Sequence, residues 1–202
     1  YQDSQVVNGV AFDWLDRHAK DRFYLFLHYM DPHDPYFEHP YNGYAVARVA
    51  NQNPDPETAE EMKRLYRQEI EYLDGQVGNL IDKLKGYKLY DDTVIVLVSD
   101  HGEEFQEHGG WWHGTTLYEE QIAVPMMLRL PGGERAGEMN WDLVRLLDIA
   151  PTLLTLAGAD IPEGMQGRDF LAQEIPPLPY VFAEEDHEGN VLWSLRTRTM
   201  KM

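Results

Sequence analysis

Apolar positions recur at helical spacing from about Ser4 to Lys20, where Val6, Val7, Val10, Ala11, Trp14 and Leu15 form the periodic set. Ser4 suits the cap of such a helix, and Arg17 and Lys20 suit the negative end of its dipole. The period then changes. Phe23-Tyr24-Leu25-Phe26-Leu27 is a continuous apolar run between charged residues and an Asp-Pro, which predicts a strand buried on both faces. A polar, proline-rich loop follows from Met30 to about Pro54. Beyond it, Met62, Leu65, Tyr66, Leu73, Val77, Leu80, Ile81 and Leu84 lie on one helical stripe. Asp55 caps this helix, Pro56 fits its first turn, and Glu57, Glu60 and Glu61 complement its positive end. Lys83, Lys85 and Gly86 mark its end. Gly75 and Gly78 sit inside it at about 1 kcal/mol each relative to alanine, reading either as close packing or as plain flexibility.

Thr93-Val94-Ile95-Val96-Leu97-Val98 predicts a second buried strand that stops at Ser99-Asp100-His101-Gly102, where Gly102 lets the backbone turn away. A third strand is expected near Pro125 to Leu130. Helical signals occupy Trp141 to Leu147 and Pro151 to Ala157, with Asp148 and Pro151 between them and Gly158 as a stop. Tyr180-Val181-Phe182 and Val191 to Arg198 suggest a hairpin around Glu188-Gly189-Asn190. Strands alternating with helices imply an α/β architecture, a mainly parallel sheet flanked by helices with a C-terminal β-hairpin. The chain then divides into an α/β core portion over 1–175 and a hairpin tail over 176–202. In such sheets, chemistry gathers beyond the carboxyl ends of the strands.

Composition narrows the functions. The 202 residues, 43% of them hydrophobic, are enough for one domain with a substantial core. A net charge of −18 argues against a nucleic-acid footprint, which needs clustered lysine and arginine. The longest apolar run, Ile122 to Leu128, contains a proline and is too short to span a membrane. With no cysteine, the chain holds no disulfide, thiolate metal site or cysteine nucleophile. It begins at Tyr1 rather than methionine, as expected of a segment processed or cut from something longer.

Five of the eight histidines lie just after the first two predicted strands, in His28 to Tyr36 and in Ser99 to Gly114. Asp100-His101 offers carboxylate oxygen and imidazole nitrogen at a strand end, suited to a divalent cation such as calcium, manganese or zinc. Plainer roles fit the same residues. Asp100 can cap a turn, His101 can be an exposed loop residue, and His28 a hydrogen-bonded core histidine. Asp31-Pro32-His33-Asp34-Pro35 is also ordinary turn chemistry, and Trp111 and Trp112 can simply pack a loop. His18, His39 and His187 have no partner pattern and read as surface or structural residues.

Taken in order, the segments resemble the sulfatases, the metal-dependent branch of the alkaline phosphatase superfamily. The resemblance rests on Phe23 to Tyr36, Glu69-Ile70-Glu71-Tyr72-Leu73-Asp74, and Asp91 to Glu104. It continues through His113-Gly114-Thr115-Thr116-Leu117-Tyr118-Glu119, Val124-Pro125 and Asp148-Ile149-Ala150-Pro151-Thr152-Leu153-Leu154. It implies an alkaline-phosphatase-like fold and hydrolysis of sulfate esters, on small molecules or glycans. Asp100 and His101 match the family's strand-end metal ligands. His33, just after Pro32, matches the sulfate-binding histidine, with His28 a nearby second. His113 stands where many sulfatases have a lysine, and either residue can hydrogen-bond the sulfate or protonate the leaving alcohol.

The family's nucleophile is a formylglycine made from Cys or Ser in a Cys/Ser-x-Pro-x-Arg motif. None of the three serines, Ser4, Ser99 and Ser194, lies in one. The expectation is therefore the later part of a catalytic domain lacking its first strands. Alone, it should be inactive, and an uncovered sheet edge would favour self-association. Two other readings compete. His101 and His113 also resemble phosphonate or phosphate ester hydrolases and the envelope phosphoethanolamine or glycerol-phosphate transferases. A noncatalytic binding domain is the third.

Overall fold

The computed structural model describes residues 3–50, 52–172, 174, 176–187 and 189–202. Glu188 in the predicted tail turn and Ile175 at the predicted core–tail boundary lie outside these. The chain forms two compact units, Tyr1–Val96 with Met127–Ala136, and Leu97–Met126 with Gly137–Met202.

The first unit is built on two helices. α1 spans Ser4–His18 and α2 spans Pro56–Gly86. The predicted cap of α2 is present: the Asp55 carboxylate accepts the Thr58 N–H at 2.8 Å, with Pro56 in the first turn. Its left-handed exit residue is Lys88 rather than Gly86. No atom lies within 4 Å of where a Cβ on Gly75 or Gly78 would stand, so neither glycine marks close packing.

α1 differs from expectation at its start. Asp3 is the cap, accepting from Val6 N–H at 3.1 Å, while Ser4 is buried and donates from N and Oγ to Asp31 Oδ1. The buried face runs Ser4, Asn8, Ala11 and Leu15, leaving Val10 67% exposed. A polar network selects that face: Asn8 Nδ2 donates to the Gln76 carbonyl at 2.8 Å and Tyr29 Oη donates to Asn8 Oδ1 at 2.7 Å. Buried hydrogen bonds outweigh a weak apolar stripe because leaving such groups unpaired costs about 1–3 kcal/mol each.

Residues 23–27 form no strand of a ladder. Phe23, Leu25 and Leu27 are half-buried, whereas Tyr24 and Phe26 are 75% and 73% exposed. A two-faced buried strand needs strand neighbours and cover on both sides, and among the described residues none pairs with this run. The same holds for the expected continuous parallel sheet. The described residues form four two-stranded sheets instead. β1 (Tyr36–Phe37) pairs antiparallel with β2 (Ala45–Val46), and β3 (Ile95–Val98) pairs with β6 (Met126–Arg129).

In the second unit, β4 (Glu104–Phe105) pairs antiparallel with β5 (Trp111–Trp112), and α3 spans Glu119–Ile122. The predicted helix over 141–147 does not form. Arg145 is extended, and Asp148 folds back to accept its N–H at 2.9 Å, closing a short 3-10 turn over Leu146–Asp148. α4 follows over Ile149–Leu156, with Pro151 in the first turn, where no N–H is needed. The tail is β7 (Val181–His187) paired antiparallel with β8 (Asn190–Arg196), with Gly189 at φ +82° in the turn. Among the described residues, no helix is long and apolar enough to cross a membrane.

Candidate active site

The end of β3 delivers Ser99-Asp100-His101-Gly102 into the second unit. The backbone there is fixed by contact rather than by a left-handed glycine. Gly102 N–H donates to the Gln121 carbonyl at 2.8 Å, and a Cβ on Gly102 would stand 2.1 Å from the Glu120 carbonyl oxygen. His101 Nδ1 donates to the Gly102 carbonyl at 2.8 Å, which places its lone pair on Nε2. That Nε2 lies 3.8 Å from Asp100 Oδ1, which also accepts the His101 N–H at 3.0 Å.

His113 joins this pair. Its ring lies with its centroid 4.0 Å from that of His101, and its Nδ1 is 3.0 Å from Glu103 Oε1. The Glu103 carboxylate is nearly buried, so it sets the ring orientation in a poorly solvated place. Just before it, Trp112 is buried and holds φ at +74°, a conformation costing a bulky residue about 1–3 kcal/mol. The β4–β5 pairing, with Trp112 opposite Glu104, holds it there.

Beneath this loop lies a polar core. Buried Glu104 accepts from Gly110 N–H and Gln121 Nε2, both at 2.8 Å. Gln121 in turn accepts the Thr115 and Thr116 N–H groups at 3.4 Å and donates to Thr116 Oγ1 at 2.7 Å. His108 packs flat on Tyr118 and reaches Glu120 Oε1 at 2.5 Å, which ties the far side of the β4–β5 turn to α3.

The other two predicted histidines belong to the first unit. His28 is exposed and its ring neighbours Phe26 at 6.3 Å, so it is not the core histidine of the plainer reading. His33 is exposed, with its N–H bonded to the Met30 carbonyl and its Nδ1 2.6 Å from the Asp34 carbonyl. Asp100, His101 and His113 thus form one cluster, while His28 and His33 stand on a different unit.

Two residues outside the predicted set matter here. Glu103 contacts His113, a meeting that depends on the β4–β5 pairing and has no local sequence signal. The second is Glu69, fully buried on α2, with His39 Nε2 at 2.9 Å from its Oε2. Its signal was legible: it stands seven residues after Met62 and four after Leu65, inside the apolar stripe. His39, read as unpartnered, stacks on Tyr72 with centroids 4.1 Å apart.

A metal ion fits part of this arrangement. Asp100 Oδ1 and His101 Nε2, 3.8 Å apart, are spaced as two adjacent donors on one ion with bonds of about 2.0–2.5 Å. Among the described residues, no group of three or more such side chains converges.

Comparison with known proteins shows the family and the fold. The fold is of the alkaline phosphatase type. A phosphonate monoester hydrolase from Silicibacter pomeroyi superposes with a TM-score of 0.66 at 24% identity, covering 75% of this chain and 34% of that one. A 2-O glycosaminoglycan sulfatase gives 0.68 at 21% identity, over 76% of this chain and 35% of the other. The chain belongs to the Sulfatase family, whose sequence model matches residues 1–159. Among curated relatives, choline-sulfatase of Rhizobium meliloti is 37% identical over 107 residues, 53% of this chain and 20% of that protein. Steryl-sulfatase of Rattus norvegicus is 29% identical over 182 residues, 83% of this chain and 29% of that protein. The chain thus spans less than a third of the length of these relatives.

Proposed function

We propose that this chain is the later part of a sulfatase catalytic domain and supplies two metal ligands, a proton donor and a sulfate-binding histidine to the cleavage of sulfate esters. The observation that carries this reading is the cluster at the end of β3. Asp100 and His101 are spaced as adjacent ligands, with the His113 ring tilted 31° against His101 at 4.0 Å and braced by Glu103. A divalent ion held there, calcium, manganese or zinc, would neutralise the ester oxygens and polarise the nucleophile.

In this reading His113 protonates the departing alcohol, and Glu103 orients it through Nδ1. His33, with His28 beside it in sequence, binds the sulfate oxygens. In this reading the nucleophile is the family's formylglycine, which these 202 residues do not supply. Substrates are sulfate esters of small molecules or glycans, as the names of choline-sulfatase and the 2-O glycosaminoglycan sulfatase suggest.

The test is turnover of matched 4-nitrophenyl sulfate and phosphonate esters. The whole protein should favour the sulfate ester, and the isolated 202-residue chain should turn over neither. Preference for the phosphonate ester would move the assignment to phosphonate hydrolysis, which His101 and His113 also suit. Metal-dependent hydrolysis by the isolated chain would contradict the division of labour.

A further inference from the structure

The loop that carries His33 is fastened to α2 by one buried carboxylate. Glu69 Oε1 accepts the Phe37 N–H at 2.6 Å, and His39 Nε2 lies 2.9 Å from Oε2. Its side chain has no exposure, although it occupies the helix stripe where Met62 and Leu65 are buried. A carboxylate in such a place is costly unless both oxygens are engaged, and here both are, by two groups of the same loop. Tyr72, one turn along α2, stacks on His39 at an interplanar angle of 6° and holds that imidazole against Glu69.

Elsewhere the loop is closed mainly on itself. Asp34 Oδ1 accepts the Arg48 N–H at 2.5 Å, and Glu38 N–H donates to the Tyr44 carbonyl at 3.1 Å. Another polar tie to α2, Arg64 Nη2 to Glu38 Oε1, is longer at 3.4 Å and partly exposed. Burial raises the Glu69 pKa, opposed by the Phe37 amide and by His39, and the buried Asp31 carboxylate pushes it the same way as burial. The Phe37 amide and His39 thus offset part of the cost of burying this carboxylate.

We propose that Glu69 is a positioning residue for sulfate binding, an internal latch whose grip on Phe37 and His39 sets where the loop presents His33. This rests on the assignment of His33 to the sulfate oxygens. An amide at position 69 keeps the shape but loses the charge that strengthens the bonds to Phe37 N–H and His39, so the loop loosens without a cavity.

The experiment is a double-mutant cycle in the whole protein, with kcat and KM for 4-nitrophenyl sulfate. It is paired with hydrogen exchange over residues 33–46 and over α2. Glu69→Gln should raise KM about tenfold, mostly sparing kcat, and speed exchange in the loop while α2 stays protected. In a His33→Ala background the same substitution should change kcat/KM less than about twofold, because the latch acts through His33. His39→Ala, which leaves the Phe37 bond in place, should give a smaller loss of the same kind. A full Glu69→Gln effect on top of His33→Ala, or exchange rising across α2 as well, makes Glu69 a structural residue and overturns the proposal. Normal kinetics in Glu69→Gln with impaired kinetics in His33→Ala overturns the latch alone. Normal kinetics in His33→Ala overturns the sulfate-binding assignment and the latch with it.

Discussion

Gly102→Ala should lower the stability of the second unit by about 3 kcal/mol and displace His101. The added Cβ would stand 2.1 Å from the Glu120 carbonyl oxygen and 3.0 Å from its carbon. Those are backbone atoms at the start of α3 and cannot swing aside as the tip of a flexible side chain would. Either α3 retreats, breaking the 2.8 Å bond from Gly102 N–H to the Gln121 carbonyl, or residues 101–103 move outward. Both shifts disturb the candidate centre. Gln121 clamps Thr115 and Thr116 below His113, and the Gly102 carbonyl fixes the His101 ring. Thermal unfolding and the histidine side-chain NMR signals of the variant would show it. Gly109→Ala is the control: its φ of +83° carries only the left-handed penalty, about 1–2 kcal/mol, and open space surrounds it. Equal effects at the two positions would mean that close approach is not what Gly102 provides.

Asp148→Ala should cost a further unit-wide loss of about 3 kcal/mol, with a pH signature of its own. The carboxylate is fully buried and accepts four hydrogen bonds: Arg145 N–H at 2.9 Å, Nε at 3.2 Å, Nη2 at 2.7 Å, and Arg168 N–H at 3.0 Å. Gly167 makes the last of these possible, since a Cβ there would collide with the Leu147 carbonyl at 1.9 Å. Burial alone would raise the Asp148 pKa, but the Arg145 and Arg168 bonds outweigh it and hold the value below the ordinary 3.8. A lowered folded-state pKa contributes stability above the unfolded value, and that contribution is lost as pH falls through the folded one. The wild-type chain should therefore lose stability more steeply below about pH 4 than Asp148→Asn, which has no such proton to take up. Parallel acid-melting curves for the two would remove the ion pair from the account.

What the sequence disclosed tracks how local each determinant is. The Asp55-Pro56 start of α2 and the abrupt end of β3 at Ser99-Asp100 depend on neighbouring residues, and both stand as read. Residues 141–147 have helical composition, yet Asp148 captures the Arg145 amide and closes a turn before a helix can begin. Val6 and Val10 suggested an inward face, but Asn8 finds Gln76 and Tyr29 and turns the helix otherwise. The apolar run at 23–27 was read as a strand buried on both faces, but it pairs with no described strand and leaves Tyr24 and Phe26 exposed.

The site divides in the same way. Asp100 beside His101 was visible because adjacency in sequence is adjacency in space. The close approach of the His101 and His113 rings and the reach of Glu103 to His113 were not, because they depend on how β4 and β5 pair. Glu69 was visible as a charge inside an apolar stripe; its partners, supplied from 30 and 32 residues earlier, were not.

The central claim is that Asp100 and His101 hold a metal on which sulfate-ester cleavage depends. The most direct measurement is metal content by mass spectrometry together with sulfate release, for the whole protein and its Asp100→Ala variant. The account predicts bound divalent metal in the first, its loss in the second, and a fall in turnover of about a thousandfold or more. Unchanged metal content and turnover in Asp100→Ala would contradict it.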